Sequence, residues 1–222
     1  GIARVVAPMA DTDPRVSGQG FDRLRAAGIA VTTGLMVDEA ERDHAGFFMK
    51  TELGRPFVTL KLATSFDGRI ATATGESQWI TGPESRRLVH AMRLRHDAVM
   101  VGAGTARADD PSLTVRDLGA GRQPVRVVVS RRLDLPLMST LARTAKQVPV
   151  WICHGPDADA TLRRTWEGLG ARLFACDVKG GQLDPASVLQ ALGGAGLTRV
   201  FCEGGGALAA ALLGADLVDE LV

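Results

Sequence analysis

Short apolar runs rich in β-branched residues alternate along this chain with stretches whose apolar positions recur at helical spacing. That alternation predicts an α/β fold, a mostly parallel sheet with crossover helices. Residues 2–7 and 29–33 read as strands, with helices over 20–27 and 37–50. Residues 51–56 (TELGRP) bring Gly and Pro together, which ends the second helix and marks a linker, so a new domain is expected from Phe57 onward. Further strands are expected over 57–63, 98–101, 125–130, 148–153, 172–176 and 198–203. The TGPE stretch from Thr81 to Glu84 reads as a capping box opening a helix over 82–94, and Asp184-Pro185 as a second helix start.

Composition narrows the functional classes. With 222 residues and 45% hydrophobic content the chain supports a substantial core. Its 26 Lys and Arg balance 25 Asp and Glu, so no global field points to nucleic acid or to an anionic membrane as a partner. Cys153, Cys176 and Cys202 are odd in number, widely spaced and set in or beside apolar runs. They read as buried reduced thiols rather than a disulfide framework or a CxxC metal site. No apolar run approaches the roughly 20 residues that span a bilayer, and the first residues lack a signal-peptide pattern. A cytoplasmic location is the expectation.

Candidate chemistry collects where the expected strands stop. The run VMVGAGT ending at Thr105 and the run VFCEGGGALAAALL beginning at Val200 both pass from strand into glycines and then into small residues. Such glycines serve a tight turn or let backbone N–H groups approach a pyrophosphate. Neither run fits the GxGxxG fingerprint with its downstream acid, so a standard dinucleotide fold is not expected. At Ser130-Arg131-Arg132 a hydroxyl and two guanidinium forks follow a strand, a set that suits a monoester phosphate as well as a solvated basic turn. Asp67-Gly68 is a strong turn pair in which Asp67 is open to a catalytic or ligand role as well. Lys61 lies between leucines in an apolar strand and must find an anion or reach solvent. Trp79 suits either a cofactor ring or a core.

Four segments, TSFDGRIA, GESQWITGPE, VGAGTARADDPSLTVR and CEGGGALAAALLGADLVDEL, closely resemble the reductase half of the bifunctional riboflavin-biosynthesis deaminase/reductase family, over residues 57–222. The resemblance implies a dihydrofolate-reductase-like α/β fold with NADPH as hydride donor. It also implies reduction of the ribosyl group of 5-amino-6-(5-phosphoribosylamino)uracil to a ribityl chain. By family match, substrate contacts fall on Ser77, Arg93, Leu113, Arg116 and Glu203, the arginines and Ser77 receiving the sugar phosphate. Cofactor contacts fall on Ala63, Trp79, Thr105, Asp109, Ser130 and the loop Gly205, Gly206, Ala207, Leu208, Ala209, Ala210 and Ala211. Lys61, Asp67 and Glu203 stand as the candidate catalytic residues.

Residues 1–50 are similar to the closing part of that family's deaminase domain, a βαβα remnant of a cytidine-deaminase-like unit. A zinc deaminase needs H-x-E and P-C-x-x-C segments, and the sequence contains neither. No metal site is therefore expected here, and zinc is expected only in a deaminase part that this chain lacks. The resemblance further implies a reductase domain cut short at its C-terminus, and a homodimer or higher homo-oligomer. Two other classes stay open: a zinc hydrolase, and a fragment acting only as a nucleotide-binding or assembly module.

Overall fold

The computed structural model describes the chain apart from Pro14, residues 75–79 and Ala120. Its first unit is a two-stranded parallel ladder of β1 (Arg4–Ala7) and β2 (Ala30–Thr33), linked by α1 (Gln19–Ala26) and followed by the long α2 (Val37–Leu53). None of α1 is buried, and Ile2, Val6, Leu35 and Met36 are exposed. α2 instead leans on the larger unit. A side chain at Gly46 would stand 2.6 Å from the Thr198 carbonyl oxygen, and Arg199 donates to the Arg42 carbonyl at 2.7 Å. The helix outruns its expected end at residue 50 and closes on Gly54, whose φ of 69° is the left-handed cap glycine allows, so the connector shrinks to residues 54–56.

The larger unit is a seven-stranded sheet in which every ladder is parallel, ordered β11-β3-β10-β4-β5-β6-β7. Its strands are β3 (Phe57–Leu60), β4 (Ala98–Gly102), β5 (Val125–Val129), β6 (Val150–His154), β7 (Arg172–Ala175), β10 (Arg199–Gly204) and the edge strand β11 (Glu220–Leu221). Helices α3 (Pro83–Arg95), α4 (Ala103–Asp109), α5 (Thr140–Arg143), α6 (Ala160–Gly168), α7 (Pro185–Gly194) and α8 (Gly206–Gly214) connect them. Successive strand residues point to opposite faces, which divides the core in two. On one face Val58, Leu60, Met100 and Cys202 pack with Leu189 and Leu192 of α7 and Leu212 of α8. On the other, Val99, Val101, Val128 and Ile152 pack with Ala106 of α4 and Trp166 of α6. Burial on both faces explains why these strands read as continuous apolar runs. Cys153, Cys176 and Cys202 are free and buried, and burial pushes the Cys202 thiol up to about 12.

The helix starts hold one agreement and one correction. Asp184 caps α7, its Oδ1 accepting from Ala186 N at 3.3 Å with Pro185 in the first turn. The capping box at Thr81 does not form. Pro83 lacks an N–H and is preset for the first helical position, which makes Gly82 the N-cap and moves Glu84 one place too early to reach back. The Thr81 carbonyl accepts from Arg86 Nη1 at 2.7 Å instead. A small hairpin, β8 (Val178–Lys179) and β9 (Gln182–Leu183), turns at Gly180 and Gly181, whose φ values of 59° and 79° are those of a type I′ turn.

Candidate active site

The carboxyl ends of β3, β4, β5 and β10 open into a cleft of about 980 Å³. Its central acid is Glu203. β10 pairs Cys202 with Met100 but Gly204 with Val101, so Glu203 is an extra, bulged residue. A bulge turns a side chain out of the alternation of its strand, and Glu203 lines the cleft. Arg93, in the last turn of α3, holds it through Nε to Oε1 at 2.5 Å and Nη2 to Oε2 at 2.8 Å. The pair retains only 11% and 13% exposure, so its two parallel charge-assisted bonds are poorly screened. Arg93 Nη1 adds a bond to the Thr114 carbonyl at 2.8 Å. Arg93, expected at the sugar phosphate, is thus largely engaged in fixing Glu203.

Lys61 enters the same cleft from the end of β3, its backbone N–H donating to the Cys202 carbonyl at 2.9 Å, level with Glu203. Among the described residues its ammonium has no ion-pair partner. Leu62, Ala63, Ile70 and Ala71 continue that wall. The opposite wall is a pair of strand-to-helix turns, β4 into α4 and β10 into α8. Gly204 and Gly205 take φ values of 83° and 89°, which only glycine adopts without strain. Thr105 Oγ1 donates to the Gly204 carbonyl at 3.4 Å and binds the two turns together.

The expected cofactor residues divide. Ala63, Thr105, Asp109, Gly205, Gly206, Ala207, Leu208 and Ala211 line the cleft. Ala209 does not, because the helical period turns it into the core, and Ala210 lies outside the lining as well. Ser130 is 1% exposed and gives its hydroxyl to Asp134 Oδ1 at 3.1 Å, so it is packed beneath the cleft rather than in it. Ser77 and Trp79 lie outside the described residues. Asp67 is also away from the lining. It accepts from Ser65 Oγ at 2.5 Å in a tight turn closed by Gly68 N to Ser65 O, the structural role open to an Asp-Gly pair.

Leu113 and Arg116 belong to the loop after α4, which meets the site through Thr114 and Arg93. Leu113 is buried with a φ of 53°, a strained conformation for a leucine. Arg116 is exposed, and its backbone N–H donates to His90 Nδ1 at 3.2 Å, one helical turn before Arg93. Burial first, then the guanidinium charges of Arg93 and Arg116, push His90 below the usual imidazole range. Sequence reasoning missed the other end of the cleft, formed by Arg107, Asp134 and the β8–β9 hairpin. Arg107 Nη1 binds Asp134 Oδ2 at 2.9 Å. The Gly-Gly pair at 180–181 was the available signal for the hairpin.

Comparison with known proteins gives this geometry a family. The riboflavin biosynthesis protein RibD of Escherichia coli is 38% identical over the whole chain, and that of Bacillus amyloliquefaciens 37%. The chain spans 62% and 59% of those two relatives. Among solved structures, RibD of Acinetobacter baumannii superposes with a TM-score of 0.85 at 34% identity, covering 99% of this chain and 59% of that one. A diaminohydroxyphosphoribosylaminopyrimidine deaminase/5-amino-6-(5-phosphoribosylamino)uracil reductase from Thermotoga maritima superposes at 0.84 with 32% identity, covering 100% and 58%. The yeast riboflavin biosynthesis reductase Rib7, at 21% identity and a TM-score of 0.61, shares the dihydrofolate-reductase-like fold alone. Residues 56–222 match the RibD C-terminal domain model, and the chain belongs to that family.

Proposed function

We propose that this chain carries the reductase activity of riboflavin biosynthesis, the NADPH-dependent conversion of the ribosyl group of 5-amino-6-(5-phosphoribosylamino)uracil to a ribityl chain. The observation that carries the reading is a carboxylate held rigidly by Arg93 at a strand bulge, facing a cleft that also contains Lys61, without an ion-pair partner among the described residues, and a glycine cradle. The cradle fits a nicotinamide dinucleotide: Gly205 and Gly206 bring bare backbone to the cleft wall, where an added Cβ would press on Thr105 Oγ1 and Ile70, and Ala207 follows with a small side chain. When bound there, the cofactor supplies the hydride that the opened sugar accepts at C1′. Thr105, Asp109 and the 205–208 turn would hold it.

The protein's own part is positioning and proton handling. Glu203 accepts hydrogen bonds from sugar hydroxyls, and its locked geometry fixes C1′ at one depth. Lys61, which has no ion-pair partner among the described residues, is the group assigned to deliver a proton to the reduced sugar. Arg116 is assigned the sugar phosphate, together with the two N–H groups of Arg93 that Glu203 and Thr114 leave uncommitted. Residues 1–50 we assign to the closing part of a deaminase-like domain, since the relatives match through them. Any zinc-dependent deamination is assigned to the part of those longer relatives outside the match. A homodimer or higher homo-oligomer is proposed for the reductase unit, as the family resemblance implies.

A steady-state assay with the ribosyl phosphate decides the matter. Loss of the reduced nicotinamide's near-ultraviolet absorbance, coupled to ribityl product, is the expected result. Binding of NADPH without oxidation would replace this reading with that of a nucleotide-binding module.

A further inference from the structure

Two adjacent arginines follow β5, and the fold treats them differently. Arg131 is locked. Its Nη1 donates to the Gly181 carbonyl at the hairpin tip at 2.8 Å, and its Nη2 to Asp157 Oδ2 at 2.8 Å. Its own carbonyl accepts from Gly155 N at 2.9 Å. It therefore clamps the β8–β9 hairpin over the strand end and builds the wall. Arg132 lines the same cleft, is exposed, and makes no hydrogen bond or ion pair among the described residues.

The nearest acids are already occupied. Asp157 is bound by Arg131 and feels Arg132 only as a more distant charge. Asp134 accepts from both Arg107 and Ser130. An uncommitted guanidinium fork at the mouth of a ligand cleft, beside a wall that is fixed, is suited to a dianionic phosphate monoester. Its position also discriminates. In the sheet order β5 lies two strands from β10, so Arg132 stands about 10 Å along the strand ends from the glycine turn. A group bound at Arg132 is thus on the ligand's far side from Glu203.

We propose that Arg132 is the specificity-determining residue for the 2′-phosphate of the adenosine half of the cofactor, selecting NADPH over NADH, while Arg131 serves only to hold the wall. The assignment rests on the nicotinamide-dinucleotide reading above and adds to it the group that reads the phosphate.

The test measures affinities of the whole chain for NADPH, NADH, adenosine 2′,5′-bisphosphate and adenosine 5′-monophosphate by calorimetry. It compares wild type, Arg132→Met and Arg132→Lys, with a thermal melt to show that each variant folds. Arg132→Met is expected to weaken NADPH and the bisphosphate by about 10- to 100-fold, the effect of losing hydrogen bonds to a charged group, and to leave NADH and the monophosphate within twofold. Arg132→Lys keeps the charge without the fork and should fall between. Equal losses for all four ligands, or none, would overturn the Arg132 assignment while leaving the dinucleotide reading intact. Failure of the wild-type chain to bind either dinucleotide would overturn both.

Discussion

Arg93 meets Glu203 edge to edge, with both carboxylate oxygens accepting from one guanidinium at 2.5 and 2.8 Å across 110 residues of sequence. Neither side chain has much water to fall back on, so removing one strands the other. Arg93→Met is expected to destabilise the fold by about 3–5 kcal/mol. Arg93→Met combined with Glu203→Met should recover much of that loss, since no charge is then left buried. Glu203→Gln, which preserves shape, should lose activity far out of proportion to stability. Urea titration of the variants checks the energies, and a loss below about 1 kcal/mol for Arg93→Met would show a pair already screened as at a surface.

A Cβ placed on Gly205 would stand 2.7 Å from Thr105 Oγ1, closer than atoms of this kind approach. The backbone there has a φ of 89° and a ψ of 130°, a sparsely populated combination that adds about 1–3 kcal/mol for any L side chain. Gly205→Ala should therefore lower the melting temperature and push the two turns apart, weakening nucleotide binding. Gly205→Ala in a Thr105→Gly background removes the collision and leaves only the backbone cost. A double-mutant cycle on thermal stability measures the difference, and strict additivity would mean that the turns shift freely to make room.

These contacts show where the sequence was informative. The central strands were legible because burial on both faces favours near-continuous apolar runs, and Val125–Val129, broken by Arg126, and Ala98–Gly102 fall within a residue or so of expectation. The glycine turns were legible because positive φ demands glycine. The fate of Ser130, Arg131 and Arg132 was not. Consecutive residues leaving a strand diverge, and which of them turns inward depends on partners far along the chain, Asp157 at a separation of 26 and Gly181 at 50. Ala209 and Ala210, expected as cofactor contacts, fall outside the cleft lining for a related reason: a glycine loop that enters a helix turns only one helical face to the cleft. Strands of two residues, such as those of the hairpin, are too short for any period to register.

Arg126 presents a buried cation without a carboxylate. It is 1% exposed on β5, and its two terminal nitrogens are held by Thr144 Oγ1 at 2.7 Å, by the Thr144 carbonyl at 3.0 Å and by the Val148 carbonyl at 2.5 Å, with a longer bond to the Ser112 carbonyl, while Nε is buried without a hydrogen-bond partner among the described residues. Burial pulls its pKa down to about 10, still far above neutrality, so the group stays charged. It staples the end of α5, the approach to β6 and the loop that carries Leu113 and Arg116. Arg126→Met would leave several carbonyls without donors and is expected to cost at least about 2 kcal/mol. Substrate affinity should fall as well if the loop loosens, whereas the Kd for NADPH should change little. Parallel titration of the two ligands separates these effects.

Stability should also fall on the acid side through two histidines. His96 is packed on the Phe201 ring at 5.2 Å and has Nδ1 within 2.7 Å of the Met92 carbonyl. Burial first, and then Arg199, push its pKa below 6.5, as burial and the flanking arginines do for His90. In each case the folded pKa is lower than the unfolded one, so around pH 6.5 the unfolded chain binds more protons and unfolding becomes easier as pH drops. The contribution is fully present above pH 6.5 and is lost progressively below it until the folded-state pKa is passed. Asp97 acts in a separate, more acidic window. Burial raises it, but donors from Thr198 and Arg199 outweigh that and bring it below 3.8, so its contribution persists until pH falls through that lower value. Denaturant unfolding followed from pH 8 to 5 should show a decline that His96→Gln flattens in part. An unchanged slope in that variant would mean that His96 titrates alike in the folded and unfolded chains.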